Sequence, residues 1–208
     1  MKRGLFIGRF QPFHLGHLQD IKTALEEVNH LTIGIGSSNE DHTKENPFTA
    51  KERAEMINIV LPNNNIRKYI VFTIPDLGND KKWVEHIETL VPKFDIVYTG
   101  NKWTEKCFKG KYEVKRVNML KGVSSTIIRN RILKDEDWQS LVPKEVVDYI
   151  SKINGVVRVK RNGENERRII EIRFMWMPGI RPVIVPARSP MRMARVSSII
   201  ILLLVLVV

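Results

Sequence analysis

The sequence predicts an α/β protein: a Rossmann-like, doubly wound parallel sheet with helices on both faces, followed by a C-terminal segment of different composition. Short runs of apolar, β-rich residues alternate with segments whose apolar residues recur at helical spacing. The first four of these runs are almost continuously apolar, which is typical of strands covered on both faces. This alternation implies right-handed crossovers, which place successive strands parallel in one sheet.

The first half of the chain supplies the clearest elements. The five expected strands comprise residues 4–7, 31–35, 69–74, 96–99 and 112–117. In the first helical segment, one face carries Leu18, Ile21, Leu25 and Val28. The second helix opens with a capping-box pattern from Thr49 to Glu52 and continues through Met56, Ile57 and Val60.

The later helices are predicted mainly from their end signals. Ser124 or Ser125 can cap a helix that runs to about Leu133. Pro143 suits the first position of a last helix over residues 144–153, and Gly155 would end it. Shorter helices are expected at residues 83–90 and 102–108.

The composition is that of a soluble globular domain. The 208 residues can enclose a sizeable core, and 43% are hydrophobic and 27% charged. The single cysteine, Cys107, cannot form an internal disulfide. The N-terminal apolar run of about five residues is too short for a secretory signal. We therefore expect a cytoplasmic protein.

The net charge of +11 raises the question of nucleic-acid binding. Residues 161–208 hold eight arginines and three acidic residues, so +5 of the charge lies there and +6 in residues 1–160. A positive field also concentrates anionic nucleotides at an enzyme. The charge by itself therefore does not indicate a nucleic-acid partner, and we expect none.

The composition changes near Lys160, and we expect the main domain to span residues 1–160. Residues 161–208 contain eight arginines, no lysine and four of the ten prolines. They end in ten aliphatic residues, half of the ~20 needed to span a bilayer as a helix, so a membrane anchor is not expected. We expect a poorly ordered tail, either lineage-specific or the product of a shifted reading frame.

The first chemical motif is the strand-to-helix turn from Gly8 to His17. Ligands bind at such turns, and helix N-termini favour phosphates. His14 and His17 share a face of the first helical turn and can donate hydrogen bonds to phosphoryl oxygens. Gly16 leaves room for a ligand near the backbone. The alternatives are surface histidines or a partial metal site, for which the sequence offers no obvious third ligand.

This motif resembles a known family. The residues from His14 to His17 match the H-x-G-H signature of the nucleotidyltransferase superfamily, and the run from Gly8 to His14 resembles the archaeal-type nicotinamide-nucleotide adenylyltransferases. The resemblance covers about the first 158 residues. It implies transfer of the adenylyl group of ATP to nicotinamide mononucleotide, giving NAD and pyrophosphate. It also implies substrate-bound Mg²⁺ and a homo-oligomer, which is a hexamer in the resembling archaeal enzymes.

A second motif begins at Ser124 and ends at Arg129. Hydroxyl groups and free N–H groups at a helix start form an anion site, and Arg129 lies one turn further on. The alternative is a capped helix with a surface arginine. The motif resembles the superfamily's Ser-x-Thr-x-x-Arg signature, which holds the ATP phosphates. Ser125 stands where archaeal-type enzymes more often have glycine.

The resemblance assigns residues to the two substrates. His14, His17 and Arg129 would be catalytic. The implied ATP-binding set is Gly8, Arg9, Phe10, His14, Gly16, His17, Lys44, Ser124, Ser125, Thr126 and Arg129. Lys44 stands where some relatives have a phosphate-binding arginine. The implied set for nicotinamide mononucleotide is Gln11, Asp76, Trp83, Gly100 and Asn101.

Trp83 could stack on the cationic pyridinium ring, and Asp76 could accept from its carboxamide. From spacing alone, the favoured interpretation of Trp83 is an anchor in the core. The resemblance reverses that preference, because related enzymes line the nicotinamide pocket with an Asp and a Trp at these places.

Several other functions are weighed against this one. Sister enzymes that act on phosphopantetheine or riboflavin phosphate, or that transfer cytidylyl groups, carry Thr-Phe-Asp-Pro or a similar run where this chain has Arg9 to Pro12. A kinase fusion needs a G-x-x-x-x-G-K-[ST] loop, and an aminoacyl-tRNA synthetase needs a Lys-Met-Ser-Lys-Ser loop; neither occurs here. Another small-molecule adenylyl- or cytidylyltransferase is the alternative. A non-catalytic nucleotide- or nucleic-acid-binding protein is a distant one.

Overall fold

The computed structural model describes residues 1–117 and 120–175, with side chains as far as residue 170. A five-stranded sheet contains β1 (Arg3–Gly8), β2 (His30–Ile35), β3 (Tyr69–Thr73), β4 (Ile96–Thr99) and β5 (Glu113–Arg116). All neighbouring strands are parallel, in the order β3-β2-β1-β4-β5. The direction of winding reverses between β1 and β4, so the loops that follow these two strands diverge and leave a crevice.

Helices connect the strands as the sequence predicts. They are α1 (Leu15–Glu27), α2 (Ala50–Asn63), α3 (Asp80–Leu90), α4 (Lys102–Phe108), α5 (Ser125–Leu133), α6 (Lys144–Lys152) and α7 (Gly155–Met175). The predicted capping box of α2 is present: Thr49 accepts from the Glu52 N–H at 3.2 Å, and Glu52 accepts from the Thr49 N–H at 2.9 Å. Helix α3 begins three residues earlier than expected because Asn79 caps it through the Lys82 N–H.

The sheet is covered on both faces, which confirms the predicted fold class. Alternate residues of β1 point to opposite sides: Phe6 lies in one buried cluster, whereas Leu5 and Ile7 lie in the other. The larger cluster includes apolar residues of α1, α2, α5 and α6. The smaller cluster includes residues of α3 and α4.

Two predictions about the end of the domain are wrong. Gly155 does not terminate the last helix; Asn154, at φ 54°, turns the chain and Gly155 begins α7. Glycine is needed there for close packing, because a Cβ atom would lie 2.9 Å from both Ile150 and Phe48. The composition change at Lys160 falls inside α7, so it marks no structural boundary.

Helix α7 packs on the domain beyond Lys160. Asn162 is buried and donates to the Thr43 carbonyl at 3.1 Å, and the Glu166 carboxylate lies 2.5 Å from Lys44. Residues 1–169 form one compact unit. Residues 161–169, which we expected to belong to a poorly ordered tail, are therefore part of this compact unit. The proline-rich segment and the aliphatic run at residues 199–208 lie outside the described residues. Among those that are described, no helix has the length and apolar character needed to cross a membrane.

Candidate active site

A cavity of about 940 Å³ opens at the carboxyl edge of the sheet, at the crevice between β1 and β4. Both sequence motifs and the expected nicotinamide region contribute to its wall. The predicted site residues that line it are Gly8, Arg9, Phe10, Gln11, His14, Gly16, His17, Asp76, Trp83, Gly100, Asn101, Ser124, Ser125 and Arg129. Of the described residues predicted for the site, Lys44 and Thr126 are not in this wall.

The two histidines form a stacked pair at the start of α1. Their ring centroids are 3.5 Å apart and their planes differ by 17°. Each Nδ1 accepts from the other residue's backbone N–H: His14 from His17 at 3.2 Å, and His17 from His14 at 3.3 Å. This reciprocal cap satisfies two N–H groups that would otherwise be free at the helix start, and it fixes both rings.

Burial keeps both imidazoles neutral at pH 7. It lowers the pKa of His14 to about 4, and it lowers that of His17 well below its usual value, with a further contribution from a charge on His14. A neutral imidazole has a single N–H. Because each Nδ1 is an acceptor, that proton resides on Nε2. The site therefore offers two neutral Nε2–H donors side by side.

Small and apolar residues hold this pair in place. A Cβ atom on Gly16 would lie 3.1 Å from the His14 ring, so a larger residue there would push that ring out of its present position. Phe10 is buried, and its ring packs 4.7 Å from that of His17. Phe10 also has a left-handed backbone, at φ 53°, so it contributes to the cavity at a constrained turn.

Two hydrogen bonds join motifs that are more than 110 residues apart. The Ser125 hydroxyl donates to the Pro12 carbonyl at 3.0 Å, and Arg129 Nη1 donates to the Gln11 carbonyl at 2.8 Å. Arg129 is 7% exposed, and burial, with Arg9 nearby, lowers its pKa to about 10. The guanidinium is still charged at pH 7. The Ser124 hydroxyl caps α5 by accepting from the Ile127 N–H.

The Gln11 side chain has a structural role. Its amide pairs with the backbone of Phe48, donating to the carbonyl at 2.8 Å and accepting from the N–H at 2.9 Å. These bonds join the first motif to the loop before α2. Because one donor and one acceptor of the amide are already engaged and the residue is buried, the side chain has little capacity left for a ligand.

Lys44 lies with α7. Its ammonium is 2.5 Å from the Glu166 carboxylate, and it is not among the described residues of the cavity wall. The structure therefore does not bring Lys44 together with His14, His17 and Arg129.

At the expected nicotinamide end, Trp83 is 2% exposed and belongs to the smaller core cluster. Its indole donates to the Pro75 carbonyl at 3.0 Å. Trp83 therefore packs in the core and also borders the cavity, and its assignment to nicotinamide mononucleotide stays a prediction. Asp76 is exposed at the same end, and Asn101 caps α4 by accepting from the Trp103 N–H at 2.8 Å.

Arg53 is a site-forming residue that the sequence analysis missed. It is fully buried, and its guanidinium donates to the carbonyls of Arg9 at 3.0 Å, Gly36 at 2.7 Å and Ser37 at 3.1 Å. It thereby joins the loops that follow β1 and β2. The available signal was its position in α2, three, four and seven residues before Met56, Ile57 and Val60, which places an arginine on the apolar face.

Asp20 and Trp103 also line the cavity and were not predicted. Asp20 lies one turn after His17 on α1 and is 8% exposed; burial raises its pKa to about 7. Trp103 lies on the first turn of α4 and is 40% exposed. The spacing of Asp20 from His17 was a usable signal. Nothing local distinguishes Trp103 from a surface residue.

The sheet order and the paired motifs at its switch point define the class: a nucleotidyltransferase with a Rossmann-like fold. Comparison with protein families agrees, because the family described as cytidylyltransferase-like matches residues 5–131. That match includes both motifs and every strand of the sheet except the first two residues of β1.

Two curated relatives refine the class. A nicotinamide-nucleotide adenylyltransferase of Thermococcus sibiricus is 45% identical over 163 residues, which cover 76% of this chain and 88% of the relative. One of Methanococcus vannielii is 46% identical over 167 residues, which cover 79% of this chain and 96% of the relative. The chain belongs to the nicotinamide-nucleotide adenylyltransferases within the cytidylyltransferase-like family.

A solved structure supports the fold. A bifunctional NMN adenylyltransferase/ADP ribose pyrophosphatase from Francisella tularensis, complexed with AMP and a manganese ion, superposes with a TM-score of 0.67 at 20% identity. The superposition covers 84% of this chain and 55% of that protein. At this identity the likeness extends to the fold alone.

Proposed function

We propose that the protein transfers the adenylyl group of ATP to nicotinamide mononucleotide and releases pyrophosphate, forming NAD. The observation that carries the proposal is the junction of the two motifs: the Arg129–Gln11 and Ser125–Pro12 hydrogen bonds join them, so that the Arg129 guanidinium and the histidine pair line one cavity. Hydrogen-bond donors and a positive charge in one cavity are the groups that a bound triphosphate requires. The relatives named above support the choice of nicotinamide mononucleotide as acceptor.

The chemistry needs little more than positioning. A phosphate oxygen of nicotinamide mononucleotide bonds to the α-phosphorus of ATP while the bond from that phosphorus to the β-phosphate oxygen breaks. The attacking phosphate is already an anion at pH 7, so it requires no general base. The Nε2–H groups of His14 and His17 donate to phosphoryl oxygens as negative charge develops there, without the repulsion that two adjacent imidazolium ions would cause.

The remaining cations act on the leaving pyrophosphate. Arg129 offers a planar set of donors, of which the described contacts use one, on the Gln11 carbonyl. Arg9 is exposed at the cavity wall and adds a second positive charge. Backbone N–H groups at the start of α5 complete the proposed β- and γ-phosphate site.

Mg²⁺ enters the proposal as part of the ATP substrate. Phosphate oxygens and water are ligands that this ion prefers, and carboxylates commonly complete its shell. Asp20 and Asp76 supply carboxyl groups in the cavity wall. Within the described residues, no group of three or more His, Cys, Asp or Glu side chains is arranged to hold a metal ion.

The test is a direct assay of the product. Purified protein is incubated with ATP, Mg²⁺ and nicotinamide mononucleotide, and NAD and pyrophosphate are quantified together. We expect both in equal amounts. Phosphopantetheine serves as the control acceptor, and CTP as the control donor. Pyrophosphate release that depends on phosphopantetheine, without NAD formation, would favour a sister adenylyltransferase instead.

Three further parts of the proposal concern the setting of the enzyme. A homo-oligomer is expected by resemblance and can be measured by light scattering after size-exclusion chromatography. A cytoplasmic location fits the single cysteine, Cys107. A DNA titration at several salt concentrations tests the absence of a nucleic-acid partner, because nonspecific binding depends steeply on salt.

A further inference from the structure

Arg158, at the start of α7, is a largely buried cation that belongs to neither motif and has no part in the reaction described above. Its Nη1 donates to Glu52 Oε2 at 2.6 Å and to the Pro47 carbonyl at 3.3 Å. Both side chains of this ion pair are only 16% exposed, so water and salt screen it less than a pair at the surface. The start of α7 is therefore attached by charge to the segment that leads into α2.

The residues that Arg158 contacts are themselves fixed in place. Glu52 Oε2 also accepts from the Thr49 N–H at 2.9 Å, so the ion pair includes the capping box of α2. Steric contact adds to this, because Phe48 is fully buried and a Cβ atom on Gly155 would lie 2.9 Å from its ring. The backbone of residues 47–49 is thus held against the start of α7 by hydrogen bonds and by packing.

Phe48 connects this contact to the cavity. The Gln11 side chain pairs with both backbone groups of Phe48, at 2.8 and 2.9 Å, and the Gln11 carbonyl accepts from Arg129 Nη1 at 2.8 Å. Gln11 is 1% exposed and Arg129 is 7% exposed, so solvent has little access to these bonds. A continuous series of contacts therefore runs from Arg158 through residues 47–48 and Gln11 to the Arg129 guanidinium.

We propose that Arg158 is a positioning residue: by holding residues 47–48 in register with Gln11, it sets where the Arg129 guanidinium lies in the cavity. The side chain and the carbonyl of Gln11 belong to one tightly packed residue, so a displacement of Phe48 moves the carbonyl that orients Arg129. Arg158 is not among the described residues of the cavity wall, so it acts through Gln11 and not on a substrate. The inference rests on the proposed function, in which Arg129 binds the ATP phosphates.

The first experiment compares Arg158→Met with Arg161→Met, which removes the same charge from an exposed position of the same helix. We expect Arg158→Met to lower kcat/KM for ATP about tenfold and to leave KM for nicotinamide mononucleotide within about twofold. Arg158→Lys keeps a charged donor for Glu52 and should recover most of the loss. Arg161→Met should match the wild type with both substrates.

A double-mutant cycle separates positioning from a contribution to stability alone. Gln11→Ala removes the bonds to Phe48, so adding Arg158→Met to it should lower kcat/KM for ATP by less than a further factor of about two. Thermal unfolding shows which variants are folded. If Arg158→Met does not fold, Glu52→Gln weakens the same ion pair and carries the same expectation. Fully multiplicative losses in the cycle, or a lower melting temperature with ATP kinetics like the wild type, would overturn the inference.

ATP binding measured without turnover distinguishes this inference from the proposed function. Isothermal titration with ATP and Mg²⁺, in the absence of nicotinamide mononucleotide, should give a Kd about tenfold weaker for Arg158→Met than for Arg161→Met. If the wild type forms no NAD but this difference is present, the proposed function fails and the positioning role stands. If NAD forms and the two folded variants bind and use ATP equally, the positioning role alone is refuted.

Discussion

Replacement of Arg53 by methionine tests how the two strand-end loops are held together. The guanidinium is fully buried and donates to the carbonyls of Arg9, Gly36 and Ser37. Ser37 retains a second donor, the Glu40 N–H, but the described contacts give no second donor to Arg9 or Gly36. The buried carbonyl of Gly36 and the part-buried carbonyl of Arg9 would each lose their partner, at a cost of about 1–3 kcal/mol for a buried group.

The methionine also relieves one unfavourable effect, because it removes a buried charge. Burial lowers the pKa of Arg53 to about 10, whereas the attraction of the Asp41 carboxylate acts in the opposite direction. We therefore expect a net loss of about 2–3 kcal/mol in the free energy of unfolding, measured by urea denaturation followed by circular dichroism. The specificity constant kcat/KM for ATP should fall at least about tenfold, because Arg53 holds the backbone of Arg9 and Ser37, which line the cavity.

Two companion variants sharpen the test of Arg53. Lys51→Met changes an exposed residue of the same helix and should alter stability by less than about 0.5 kcal/mol. Arg53→Lys keeps the charge but cannot reproduce the planar arrangement of donors, so it should fall between the wild type and Arg53→Met. A loss below about 1 kcal/mol in Arg53→Met, with normal kinetics, would refute the reasoning.

Four further predictions follow from the site and the domain end. His17→Ala should lower kcat by about 10²–10³ with little change in KM in steady-state assays, and a pure KM effect would contradict a transition-state role. Arg129→Lys should weaken use of ATP, and near-normal ATP kinetics would place it outside the triphosphate site. Because burial raises the pKa of Asp20 from 3.8 to about 7, the folded protein keeps a proton that the unfolded chain loses between these values, so the free energy of unfolding should fall as pH rises through this range and level off above it; Asp20→Asn should flatten this profile, and an unchanged pH profile counts against it. A chain ending after residue 169 should keep specific activity within about twofold, whereas one ending after residue 160 should melt several degrees lower, because it lacks the Asn162 and Glu166 contacts; equal melting temperatures would show that these contacts do not matter.

The predictable part of this fold depends on local signals. Apolar runs of four to six residues located the first four strands, and the Thr49–Glu52 pattern located the start of α2. Both motifs were found because their function requires closely spaced residues at a strand end or a helix start. The side chains of His14 and His17 are three residues apart, so their common face follows from helix geometry.

The parts that sequence reasoning missed depend on contacts between distant segments. Gly155 resembles a helix terminator, but its role is to let α7 pack against Ile150 and Phe48. Lys44 resembles a phosphate ligand, but its ammonium forms an ion pair with Glu166, more than 120 positions later in the chain. In each case the residue type fits two roles, and only its neighbour in space decides between them.

The sequence by itself determined the strand and helix order, the two motifs and the edge of the sheet at which they meet, because hydrophobic period and capping act within a few residues. Only the tertiary structure decided how buried each aromatic ring and each charge is. Trp83 and Trp103 are the same residue type, and their sequence positions do not tell them apart. The packing of α3 and α4 buries the first and leaves the second open to the cavity. The role of Arg53 also cannot be read from the sequence, because its partners are carbonyls of loops that come together only when β1 and β2 pair. Burial is a property of the assembled layers, and it sets which of these side chains can meet a ligand.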